Sequence, residues 1–335
     1  MKRFLPSVVR NSTGAEIVVA DNGSTDVSMQ MLSEEFPTVG QIHLDKNYGF
    51  AEGYDRALRE VEAEYYILLN SDVEVPEGWM VPIMEYMEAH QDVAACQPKL
   101  RCEWNREYFE YAGACGGYMD ALGYPYCRGR LMGTVEKDEG QYDYLSDEDR
   151  KAGRHAVYDC LWATGACLVI RSRDYWDAGG LDGRFFAHQE EIDLCWRLRS
   201  RGRRVVCVTE SVIYHFGGGT LPQGNPRKNF LNFRNNMLLL YKNLPEERLK
   251  KVMRIRFWLD GLASLQFLLT GQGRSFLGVW KARREFKRIR HDFENNRKEN
   301  LSKTVVSPVP EQSTFSLLWQ YYVKGIRKFS EVYSS

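Results

Sequence analysis

Residues 15–26, "AEIVVADNGSTD", form a short β-branched run that breaks abruptly into aspartate, asparagine, glycine, serine and threonine. A helix-compatible stretch, "DVSMQMLSEEF", follows. Such a run reads as a buried strand that opens into a turn and then a helix. The order recurs in "QIHLDKNYGFAEGYDRALREV" and again in "AEYYILLNSDVEVPEGWMVPIMEYMEAH". Three successive strand–loop–helix units constrain the chain to an α/β fold, a mostly parallel sheet with helices on both faces.

In open sheets of this kind ligands bind beyond the carboxyl ends of the strands. Here those ends are Asp21-Asn22, Asp45 to Asn47 and Asn70-Ser71-Asp72, all polar, which points to one site collecting them. Asp72 stands at the tip of "YYILL", where a carboxylate can hold a divalent cation that in turn grips a diphosphate. The same three letters serve equally as a turn-starting Asx motif. His215 ends a later apolar run, "RRVVCVTESVIYH", and offers a second metal ligand, or simply a satisfied polar side chain.

Between residues 94 and 160 the pattern loosens into glycine- and aromatic-rich sequence, read as loops over the site with a flexible insertion near 136–155. "YDCLWATGACLVIRSRDYWDAGG" then supplies another strand, and "FFAHQEEIDLCWRLRSRG" a helix that begins with Glu190 and Glu191. Acidic residues in a first helical turn are favoured by the dipole and the unpaired amides there. Asp193 and Arg197 stand four apart in the favourable order for a helical ion pair.

Lysine plus arginine equals aspartate plus glutamate at 45 each, so no overall imbalance argues for nucleic acid. The eight cysteines form no C-x-x-C pair and have no histidines at zinc spacing, which predicts reduced, mostly buried thiols in a cytosolic protein. The amino terminus lacks the apolar core and cleavage site of a signal peptide.

The ordered series "VVADNGSTD", "LDKNYGFAEGYDRAL", "YILLNSDVEV", "ATGACLVIRS", "FFAHQEEIDLCWRL" and "VIYHFGGGT" resembles the family 2 glycosyltransferases of GT-A fold, especially the rhamnosyltransferase-like branch, over roughly residues 1–240. The resemblance implies an inverting enzyme that passes a sugar from a nucleotide-diphosphate sugar (dTDP-rhamnose-like or UDP-sugar) to an acceptor hydroxyl of a polysaccharide or lipid-linked glycan. It implies Mg or Mn as cofactor. By the same likeness Asp21 and Asn22 meet the nucleoside, with Asn47 and Asn70 beside it. Asp72 and His215 bind metal, and Trp162 with the Thr164-Gly165-Ala166 turn faces the acceptor or, equally, packs in the core. The catalytic base lies in the Glu190-Glu191 pair, with Glu191 favoured. Arg227, Lys228 and Arg234 are candidates for phosphate contacts, or for a solvated basic face. Displacement at an anomeric carbon needs a base for the acceptor proton on one face and charge stabilisation of the leaving diphosphate on the other.

The chain departs from that pattern in three places. Family members begin with an apolar strand, whereas "MKRFLPSVVRNS" reads as the helix that follows it; the expectation is an exposed sheet edge, with either a different natural start or a degenerate subunit. Glu191 replaces the usual aspartate, and Asp55 stands where asparagine is more usual. A sugar nucleotidyltransferase is the rival enzyme class, but no glycine-rich basic phosphate loop is visible near the start.

The division expected is a catalytic domain over 1–235, a helical extension over 236–298, and a linker with a short terminal helix over 299–335. Apolar and aromatic residues such as Trp258, Phe267, Leu268, Phe276 and Trp280 precede the basic "KARREFKRIR", so peripheral membrane contact through 256–290, at the inner face of the cytoplasmic membrane, is expected. The longest uncharged run there is too short to span a bilayer.

Overall fold

The computed structural model describes residues 1–143, 156–217 and 224–333. It is α/β, as expected, but its central sheet is mixed rather than mostly parallel. Strands β1 (Val18–Asp21) and β2 (Gly40–His43) pair in parallel in a sheet of their own. The larger sheet contains β3 (Tyr65–Leu69), β4 (Val73–Glu74), β5 (Val93–Cys102), β10 (Val157–Asp159), β11 (Cys167–Arg171) and β12 (Arg204–His215) in the order β10-β12-β5-β11-β3, with β4 against the end of β12. Only β5 and β12 run parallel there; β11 is antiparallel to both β3 and β5. A small meander, β6 to β9, occupies residues 117–135.

The antiparallel insertion of β11 has a consequence for the site. The chain enters β11 at the end where β3 finishes, and the Asn70 amide donates to the Ala166 carbonyl at 3.0 Å. The Thr164-Gly165-Ala166 turn is thereby laid beside the polar tip of β3. A parallel β11 would start at the opposite end of the sheet.

Side-chain alternation along the strands divides the core, because successive residues point to opposite faces. From β3, Tyr66 and Leu68 join the large cluster under α3 (Gly49–Leu58), α5 (Ser172–Asp177) and α6 (Glu190–Ser200). Ile67 points the other way, towards Ile83 and Met87 of α4 (Val81–Ala89). All eight cysteines are free and buried, as anticipated.

Among the described residues no strand pairs with the outer edge of β1 or of β3. Helix α1 (Leu5–Asn11) ties the two sheets together instead: Val8 packs both on the Leu5, Leu32 and Val39 cluster and on the cluster around Val73, Val75 and Trp79.

The helical part consists of α7 (Pro226–Asn243), α8 (Glu246–Leu269), α9 (Gly273–Ile289) and α10 (Glu294–Ser302). None of these is long and apolar enough to cross a membrane, which holds for every helix of the described residues. The segment after residue 303 is more than a linker. Val309, Leu317 and Phe329 are buried against the main core, and Arg199 and Glu311 pair across the strap. Of the insertion expected near 136–155, residues 144–155 lie outside the described residues; Asp138 is buried and paired with Lys99 and Arg101.

Candidate active site

Pairing of β4 with β12 sets Val73 opposite His215, and this register brings Asp72 to the histidine across 143 residues of sequence. The His215 Nε2 lies 3.2 Å from Asp72 Oδ1, and Asn70 Nδ2 is 3.5 Å from the same nitrogen. On the other side of the ring, Nδ1 sits 3.3 Å from Glu110 Oε1. Burial disfavours charge on His215, but the two carboxylates outweigh it and lift its pKa to about 9. Asp72 is held below the usual carboxylate range: burial opposes this, and the hydrogen bond and charge of His215 prevail. Glu110 was not foreseen from sequence, because nothing in "EYFEYAGACGG" distinguishes it from a surface acid.

Asp72 could offer a carboxylate to a divalent ion, and His215 a second donor once the ion displaces the proton that the two carboxylates hold on the ring. No group of three or more His, Cys, Asp or Glu residues gathers for a metal among the described residues. This donor set suits an ion that takes one carboxylate from the protein and completes its shell with phosphate oxygens and water. Glu110 behind Nδ1 is the kind of carboxylate that orients a metal-binding imidazole.

The carboxylate pair lies on the other side of the Gly165 turn. Glu190 is 3% exposed, while Glu191 is half-buried. A Cβ built on Gly165 would press on the Phe50 ring at 3.3 Å and lie 3.9 Å from Glu191 Cβ, so the turn passes close over the acid. Burial pushes the Glu191 carboxyl up to about 7, partly offset by nearby backbone amides including that of Gly165. Glu190 is raised as well, by burial and then by the charge of Glu191. One buried oxygen of each acid, Oε2, has no hydrogen-bond partner. A buried carboxylate so poised accepts a proton near neutrality.

The approach to α6 is strained. Phe186, His188 and Gln189 all have positive φ, at 67°, 73° and 72°, which side chains other than glycine rarely adopt. Helix α7 holds the loop in place. Asn235 Nδ2 donates to the carbonyls of Phe185, Ala187 and His188, at 3.0, 2.8 and 2.7 Å. Asn236 Nδ2 donates to Gln189 Oε1 at 3.0 Å. The expected Asp193–Arg197 pair is present at 3.1 Å but is buried, and Lys242 of α7 bridges Asp182 and Asp193 at 2.8 and 2.7 Å. The asparagines escaped sequence reading because "FRNNMLLLY" carries no local signal for them.

Asn22 and Asn47, expected at the nucleoside, stand at the strand ends and knit the loops there. Asn22 accepts from the Tyr48 amide at 2.9 Å and donates to the Gly49 carbonyl at 2.7 Å, while Asn47 accepts from the Gly49 amide at 2.8 Å. Asp21 accepts from the Ser24 amide at 2.9 Å. The neighbouring Gly23, at φ +73°, brings its backbone so near Lys46 that a Cβ would lie 2.5 Å from the Lys46 carbonyl carbon.

Of the two readings of the acceptor wall, core packing describes Trp162 and Thr164. Trp162 and Thr164 are each 2% exposed: the indole packs on Gly117 and donates to the Tyr118 carbonyl, and Thr164 lies against Gly113. Both are core residues, and Gly165 alone of the three faces the acids. Of the basic candidates, Arg234 donates to the Phe185 carbonyl, and Arg227 stacks over Phe186 at 5.0 Å. Lys228 lies near His188, whose pKa is pushed down to about 4 by burial and then by that lysine.

Comparison with known proteins agrees with this architecture. Residues 1–128 match the family model described as glycosyl transferase family 2. The chain is 24% identical over 230 residues, 64% of its length, to an N-acetylglucosaminyl-diphospho-decaprenol L-rhamnosyltransferase of Mycobacterium tuberculosis, 71% of which is covered. It is 25% identical over 236 residues to the low-salt glycan biosynthesis hexosyltransferase Agl10 of Haloferax volcanii, with 68% of each chain covered. Among solved structures, GalNAc-T7 with UDP, GalNAc and Mn2+ superposes with a TM-score of 0.56 at 15% identity, over 73% of this chain and 45% of that one, a likeness of fold. Residues 1–128 thus match the family 2 glycosyltransferases, the fold is that of the GT-A glycosyltransferases, and the chain is similar to rhamnosyl- and hexosyltransferases.

Proposed function

We propose that this protein transfers a hexosyl residue, rhamnose or a related sugar, from a nucleotide-diphosphate donor to a hydroxyl of a lipid-linked glycan, with inversion at the anomeric carbon. The observation that carries the reading is the Gly165 turn, which has the Glu190-Glu191 pair on one side and the Asn70, Asp72 and His215 group on the other. Glu191 takes the acceptor proton, since it is the more accessible acid and its raised pKa matches that task. Burial, and then the charge of Glu191, keeps Glu190 protonated beside it. Asp72 and His215 hold Mg or Mn, with Asn70 beside them and Glu110 orienting the imidazole. When bound, the ion offsets negative charge growing on the departing diphosphate. Asp21, Asn22 and Asn47 place the nucleoside at the ends of β1 and β2.

The lipid-linked acceptor is supported by the rhamnosyltransferase relative, whose name specifies a diphospho-decaprenol substrate. Peripheral membrane contact is supported by the exposed apolar residues Trp258, Leu262 and Leu269 on α8.

A thermal-shift panel of UDP, dTDP, GDP and CDP, each with and without manganese, tests the reading on the native chain and on Asp72→Ala. A ligand that binds the folded state raises its apparent stability. One nucleotide should stabilise the native chain in a metal-dependent way and fail to stabilise the variant. No shift from any nucleotide, in protein that melts cooperatively, overturns it.

A further inference from the structure

Helices α7 and α9 run side by side in the same direction, with Asn229 donating to Ser275 Oγ at 3.0 Å near their starts and Tyr241 meeting Phe286 further along. Where both begin, a cleft of about 610 Å³ opens between them. Four cations rim it, Arg227, Arg274, Lys281 and Arg284, with Phe230 and Trp280 among its walls. Cations close by on α9 are already neutralised: Arg283 pairs with Asp260, and Arg288 with Glu285. The four at the cleft have no ion pair of their own among the described residues. Concentrated unneutralised charge beside aromatic walls suits an anionic group attached to an apolar body.

The surroundings say where that body goes. Leu269 and Leu277, at the turn joining α8 to α9, are 79% and 64% exposed, and Leu262, Leu265 and Leu268 continue the apolar surface along α8. On the opposite flank Arg227 reaches over Phe186, in the strained loop that leads to Glu190 and Glu191. The cleft thus lies between an exposed apolar tip and the catalytic acids.

We infer that this cleft binds the phosphate of a lipid-anchored acceptor, with the lipid chain leaving over the leucines of the α8–α9 turn. The inference rests on the transferase reading above and assigns the acceptor's anionic end to Arg227, Arg274, Lys281 and Arg284. A phosphate held there, with the glycan extending past Phe186, points the accepting hydroxyl towards Glu191.

Titration of the full chain with geranylgeranyl diphosphate, without divalent metal and followed by tryptophan fluorescence, tests it. Saturable binding is expected, weakened at least tenfold in Lys281→Glu/Arg284→Glu and several-fold in the milder Arg274→Ser. A charge control on α10, Lys298→Glu/Lys303→Glu, should bind as the native chain does. Inorganic pyrophosphate and geranylgeraniol should each bind at least tenfold more weakly than the intact lipid diphosphate, and phosphatidylglycerol vesicles should not displace it. Absence of saturable binding, equal loss in the control, equal affinity for pyrophosphate, or displacement by the vesicles would each overturn the assignment. Lipid-diphosphate binding without nucleotide stabilisation would sink the transfer reading and leave the cleft. Nucleotide stabilisation without lipid-diphosphate binding would sink the cleft alone.

Discussion

The Asn235 side-chain amide donates to the backbone carbonyl of His188 at 2.7 Å, fixing a residue with φ of 73° two positions ahead of the acid pair. Asn235 is fully buried and supplies three such contacts. It positions the loop without reaching the reacting atoms.

Asn235→Leu should therefore cost stability, by about 1–3 kcal/mol for carbonyls left unpaired. It should also lower kcat on the order of 10- to 100-fold through misplacement of Glu191. Nucleotide affinity should fall less than kcat, since the loop meets the donor side through the Phe186 carbonyl, which accepts from the Phe50 amide at 2.6 Å. Steady-state kinetics beside nucleotide titration check this; a purely structural role would leave kcat of the folded fraction unchanged.

If Glu191 is the base, Glu191→Gln should lower transfer by roughly 10²- to 10⁴-fold while the metal-dependent nucleotide shift persists. Glu190→Gln should act less severely. Reversal of that order would reassign the proton transfer to Glu190.

The same acid sets a pH dependence. Its folded pKa, about 7, lies above the ordinary carboxyl value of 4.5, so the folded state resists ionisation. Below pH 4.5 the group is protonated in both states and costs nothing; the cost grows as pH rises from 4.5 and levels off above 7, reaching at most about 3 kcal/mol. Activity should rise through pH 7 as the base ionises. Urea unfolding should find Glu191→Gln gaining stability relative to the native chain at pH 8 but not at pH 4. A flat difference between those pH values would show that Glu191 is not raised.

Glu110 faces His215 Nδ1 at 3.3 Å and is buried. Glu110→Gln should weaken manganese-dependent nucleotide binding by about 10- to 100-fold, the usual effect of removing a carboxylate behind a metal-binding histidine. Calorimetric titration of manganese with nucleotide present measures it. Unchanged affinity would mean that His215 needs no orientation from that side.

Lys242 is 2% exposed and bridges Asp182 and Asp193, fastening α6 to α7. Lys242→Met should destabilise by about 3–5 kcal/mol, because Asp193 stays buried with less compensation. Chemical denaturation is the readout. A loss under 1 kcal/mol would mean that the charge of Arg197 and the hydrogen bond from Asn243 suffice for that carboxylate.

The sequence by itself determined the local elements and the chemistry at their ends. "AEIVVADNGSTD" had to leave a strand for a turn, "YYILLNSD" had to carry Asp72 on a strand tip, and the helix after Gln189 had to begin with two acids. These follow from periodicity and turn chemistry within a dozen residues. Tertiary structure decided what no local pattern encodes. It set β11 antiparallel and so put Gly165 beside Asn70, joined Asp72 to His215 and Glu110, and sank Trp162 into the core. It also gave the asparagines of α7 the task of holding a strained loop about 50 residues away in sequence. Each of these is a pairing between distant segments, whose energy depends on register and burial in the folded chain, and single-residue preferences carry no record of either.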